Sequence, residues 1–136
     1  MTDEEKQELE DFIQDWHWDE KSHKFAQDLG TYLFQFIDHL YEQGLSDKTV
    51  RKHIDNCWCI GILECDYGYR DEFSPGDVFH SPEANYEYEF KRKMSDSKYA
   101  INSYRSTWRK LYKYTKALGY IDDEEWEITQ TEKEKK

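Results

Sequence analysis

The chain has no apolar run of 18 residues, which excludes a membrane-spanning helix of ordinary length. Its first ten residues, MTDEEKQELE, are acidic and have no apolar segment of the kind a signal peptide needs. The expectation is a cytoplasmic protein with reduced thiols. Three cysteines, an odd number, do not make a disulfide framework. Chemical signatures are equally scarce. There is no glycine-rich phosphate loop, no GxSxG and no HExxH. His17, His23, His39, His53 and His80 are scattered without a partner pattern. No catalytic residue, cofactor or metal is assigned.

Aromatic side chains are abundant. Eleven Tyr, seven Phe and five Trp make up 17% of 136 residues, so the core is expected to be built on rings rather than on Val and Ile. That length suits one domain. The net charge is −11, and it is segregated. Residues 1–20 have nine acids and one base, whereas residues 91–121 have nine bases and a single acid, Asp96. A basic element inside an acidic chain is more informative than the total.

Apolar residues at spacings of three and four predict helices. Leu9, Phe12, Ile13 and Trp16 mark one over 3–18. A second runs over 23–43, with Ser22 as its expected cap and Gly44 as its stop. Ser46 is a good N-cap for a third, beginning at Asp47 and becoming buried all round in CWCIGIL. Gly68, Pro75, Gly76 and Pro82 punctuate an ordered, aromatic-rich loop over about 66–90, held by Tyr67, Tyr69, Phe73 and Phe79. YEYEF reads as the opening of a helix rather than as a strand. The clearest helix covers 97–118 and ends at Gly119. The expected fold is an all-α bundle of about four to five helices over 22–121. Before it lies an acidic N-terminal helix or extension, 1–21. After it lies a charged, flexible tail, 122–136, with Trp126 as its one large anchor.

In the last helix Lys98, Asn102, Arg105, Arg109, Lys113 and Lys116 share a stripe. It is centred on the order of 130° from the apolar stripe. Such a stripe suits a phosphate backbone, with Asn102 able to read a base edge. The plainer alternative is a solvated face that balances nearby carboxylates. Lys48, Arg51 and Lys52 follow the Ser46 cap, and a capped helix start with cations suits a phosphate. An ordinary cap with solvated lysines is the alternative there. His53 and Cys57, at i and i+4, could present two metal ligands. Cys59 and Cys65 complete no zinc spacing, and core packing is the expectation for these thiols. Trp16 and Trp18 are read as core or interface.

Two stretches carry a resemblance. FIDHLYEQGLSDKTVRKHIDNC, residues 36–57, and YAINSYRSTWRKLYKYTKALGYI, residues 99–121, resemble the N-terminal core-binding (SAM-like) domain of tyrosine recombinases and phage integrases. In the second, Arg109, Leu111, Tyr112, Tyr114, Leu118, Gly119, Tyr120 and Ile121 carry the pattern. The resemblance implies a helical bundle forming half of a clamp around duplex DNA. Its contacts on this chain would be Ser46, Lys48, Thr49, Arg51 and Lys52, then Asn102, Arg105, Arg109 and Lys113. The recombinase catalytic set has no counterpart here, since no His-x-x-Arg occurs. The resemblance thus implies non-catalytic DNA binding, mainly through phosphates. The alternative is a protein–protein module that has lost DNA binding, whose basic helix docks on another protein or on a second copy. The acidic ends could screen the basic helix in cis or simply keep the protein soluble.

Overall fold

The computed structural model describes residues 3–16, 20–67, 72–80 and 86–121. Among them are six helices and no strand: α1 (Asp3–Trp16), α2 (Glu20–Glu42), α3 (Asp47–Tyr67), α4 (Pro75–Phe79), α5 (Tyr88–Lys93) and α6 (Lys98–Ala117). The all-α expectation holds. No helix among the described residues is long and apolar enough to cross a membrane.

Local chemistry accounts for most helix ends. The Ser46 Oγ accepts the Thr49 N–H at 3.2 Å, and the Ser97 Oγ accepts that of Ala100 at 3.1 Å. Each hydroxyl satisfies one of the donors orphaned at a helix start. At the other end of α2, Gly44 takes φ +83°, a conformation that costs glycine nothing. The Gly44 N–H then donates to the Tyr41 carbonyl and the Leu45 N–H to that of Leu40, closing the last turn. The end of α6 repeats this pattern at Gly119 and Tyr120.

Three expectations need revision. First, α2 begins at Glu20, so Ser22 lies inside the helix and not at its cap. An acid at the first position suits the positive end of the helix dipole. Second, α3 continues to Tyr67. Third, the 66–90 segment is not all loop, because α4 occupies Pro75–Phe79 and α5 starts at Tyr88. Pro75 stands in the first turn of α4, where its missing N–H is harmless. YEYEF does lead into a helix. Trp18, Tyr69 and the whole 122–136 tail, which also figured in those expectations, lie outside the described residues.

The core is aromatic, as the composition suggests. Leu29, Leu33, Phe36, Ile37 and Leu40 of α2 are buried along its length, and α2 packs on both α1 and α3. Phe79 from α4 and Tyr86 both set their rings edge-on to Trp108 of α6. Phe90 of α5 stacks on Tyr104 at 4.0 Å. Phe73 reaches Tyr32 and Phe25. The helix α1 belongs to the same core, since it buries Phe12, Ile13 and Trp16. The Trp16 indole N–H donates to the Trp58 carbonyl at 3.1 Å, and the Trp58 indole N–H donates back to the Asp15 carboxylate at 2.9 Å.

Candidate nucleic-acid interface

The two basic segments lie on helices that pack directly on each other, α3 and α6. A buried polar seam joins them. The His53 Nδ1 lies 2.7 Å from the Thr107 Oγ1, and the Asn56 amide donates to Thr107 at 2.9 Å and to Ser103 at 3.0 Å. Polar groups buried in an interface must be paired, so these bonds restrict how α3 and α6 can slide or rotate. Burial, reinforced by Lys110 and Lys52, lowers the His53 pKa to about 4. The imidazole is therefore neutral at pH 7, and the seam is an uncharged hydrogen-bond network.

On the solvent side of the seam, Lys52 places its ammonium 5.2 Å from the centroid of the Tyr99 ring. This cation–π contact joins the start of α3 to the first turn of α6. Ser46, Lys48 and Lys52 are exposed, and Thr49 is half-buried. Lys98, Asn102 and Lys113 are exposed on α6, whereas Arg105, Arg109 and Lys116 are half-buried. Between residues 97 and 121 the chain has six bases and no acid. From Lys98 to Lys116 the stripe spans about 27 Å at the helical rise.

Several of the cations expected at this face have partners within the chain. Arg51 turns toward α1 and binds the Glu8 carboxylate at 2.6 Å, with Asp55 at 3.2 Å. Arg105 pairs with Glu87, which also takes Lys91 at 2.9 Å. Burial alone would raise the Glu87 carboxyl, but the hydrogen bonds from Lys91 and Arg105 outweigh it and hold the pKa below the ordinary value. Arg109 hydrogen-bonds the Tyr86 hydroxyl. The structure thus brings Lys52 of α3 to Tyr99 of α6, the one solvent-side contact between the two basic segments among the described residues. It holds Arg51 against Glu8 of α1 and Arg105 against Glu87.

Sequence reasoning missed Tyr99 and Lys110. Tyr99 is 72% exposed, and an exposed aromatic beside a cation is a signal that a stripe count of charges passes over. Lys110 lies off the stripe, on the α3 side of the helix. The seam itself was legible only as polar residues at apolar spacings. Cys57 and Cys65 are fully buried, and burial pushes the Cys57 thiol upward and that of Cys59 to about 11. These are thiols of the packed interior. No group of His, Cys, Asp and Glu suited to a metal occurs among the described residues.

Compared with known proteins, the chain matches no family model, no curated protein and no solved structure.

Proposed function

We propose that this protein is a non-catalytic duplex-DNA-binding domain, a helical clamp half of the recombinase core-binding type. Its contact face would be the solvent side of the α3–α6 pair. The observation that carries this reading is the junction of the capped, basic start of α3 with an acid-free α6 through Lys52 and Tyr99. Lys48, Lys52, Lys98, Arg109, Lys113 and Lys116 would meet phosphates, with Asn102 nearest to a base edge. Binding through about six phosphates falls about a thousandfold between 50 and 200 mM salt.

Fluorescence anisotropy with a random duplex of about 20 base pairs tests this. The expected result is micromolar binding at 50 mM salt, steep loss at 200 mM, and loss in a Lys52→Glu/Lys98→Glu variant whose circular dichroism is unchanged. Absence of binding at the lower salt would retire the reading. A second reading has its own support, because Arg51 and Arg105 are engaged by Glu8 and Glu87 and the chain is acidic overall. In it the same face docks on an acidic protein. The DNA titration would then be silent at both salts, while an acidic polypeptide such as poly-glutamate would bind.

A further inference from the structure

Tyr99 is the most exposed large hydrophobic side chain among the described residues, at 72%. It stands in the first turn of α6. The Lys52 ammonium, 5.2 Å from the ring centroid, shields part of one face only, so the ring keeps a stacking surface in solvent. Its surroundings differ from those of Tyr88, the next most exposed, which stands between Glu87 and Glu89. After Tyr99 no acid occurs before Asp122, and the nearest one ahead of it, Asp96, precedes the helix. Lys98 adjoins Tyr99 in sequence. Lys48 lies one turn from Lys52 on α3, and Asn102 lies one turn from Tyr99 on α6. All three are exposed.

We propose that Tyr99 is a stacking platform for one unpaired base, so that the preferred ligand of the α3–α6 pair is duplex DNA interrupted by an unpaired nucleotide. This deepens the DNA reading and rests on it. In an intact duplex the faces of each base are covered by its neighbours, and a protein is offered only phosphates and base edges. Lysines suffice for the phosphates, and a large ring left in water adds nothing to them. A base presents its face only where it leaves the stack, and leaving costs least where it has no pairing partner. There an aromatic ring holds the base by stacking, while cations beside it hold the backbone. Lys52 and Lys98 supply those cations, and the Asn102 amide stands one turn away for the base edge. Every base has a π-face, so the preference is for the unpaired state and not for a sequence.

Anisotropy titrations of the full chain at about 50 mM salt test this, with duplexes of about 20 base pairs that share the same blunt ends. One is intact, one has a single unpaired adenine at its centre, and one has an abasic nucleotide in that place. The abasic duplex keeps the interruption and its bend but has no base to stack. The expected result is binding roughly tenfold tighter to the unpaired adenine than to the intact duplex. That preference should vanish with the abasic nucleotide and in Tyr99→Ala, and it should persist in Tyr99→Trp. Because Tyr99 is exposed, these variants are expected to keep the circular dichroism of the parent chain. Equal affinity of the parent chain for the intact and adenine duplexes would overturn the stacking and leave the DNA reading in place. So would a preference that survives in Tyr99→Ala or with the abasic nucleotide, because the protein would then be reading the bend. Binding to none of the three would discard the stacking and the DNA reading together.

Discussion

His53 shows what a single buried group contributes. It is 5% exposed, bonded to Thr107, and held neutral by its surroundings. Its pKa is about 4 in the folded chain against about 6.5 when unfolded, so the unfolded state takes up a proton first as pH falls. Stability is therefore complete above about pH 6.5 and is lost on acidification toward pH 4. The loss attributable to this one residue is about 2 kcal/mol at pH 5. Urea denaturation at pH 7 and pH 5 should show that difference shrinking in His53→Gln. Parallel losses in both proteins would place the acid sensitivity elsewhere. Glu8 is a second informative residue. The Glu8–Arg51 pair is partly exposed and contributes under about 1 kcal/mol to stability. Glu8→Gln should thus leave melting nearly unchanged while leaving Arg51 held by Asp55 alone. A severalfold rise in duplex affinity at 50 mM salt is the expected result, and an unchanged affinity would mean that Arg51 makes no phosphate contact.

Among the elements, α2, α3 and α6 were largely legible in the sequence, because their ends are set by local chemistry. Gly44, Ser46 and Gly119 act within a few residues of themselves, and Ser97 starts the helix that was expected from residue 97. Of the short helices, α5 was legible in YEYEF, whereas α4 was not, because it owes its place to a distant ring. Phe79 of α4 packs edge-on to Trp108, far away in sequence. The candidate face was legible as residue types but not as pairings. Nothing near Arg51 or Arg105 in sequence announces Glu8 or fixes which neighbouring acid is bound. One element contact is tight enough to test directly. A Cβ at Gly61 of α3 would run into the indole of Trp16. That indole is 2% exposed and tied to the Trp58 carbonyl, so it has little room to yield. Gly61→Ala should destabilise the fold by about 2 kcal/mol, despite alanine's better helix propensity. Thermal melting checks this, and a stabilised variant would show that α1 sits more loosely on α3.

For the whole molecule, the balance between acidic and basic segments decides what the α3–α6 face can do. The net charge of −11 disfavours approach of DNA at long range, while screening restricts that repulsion to about 10 Å at 0.1 M salt. On the proposed reading, duplex binding is a short-range matter of the lysines of α3 and α6. The acidic α1 cannot be treated as a removable screen, because Phe12, Ile13 and Trp16 leave the core with it. Charge substitutions at Glu8 and at the tail are the cleaner probes. The exchanged indole hydrogen bonds between α1 and α3 have a further, temporal consequence. The Trp16 indole proton is shut off from water while α1 is seated. Its lifetime in deuterium oxide therefore measures how often the first helix leaves the bundle, and the better-exposed Trp58 proton supplies the faster clock to read it against.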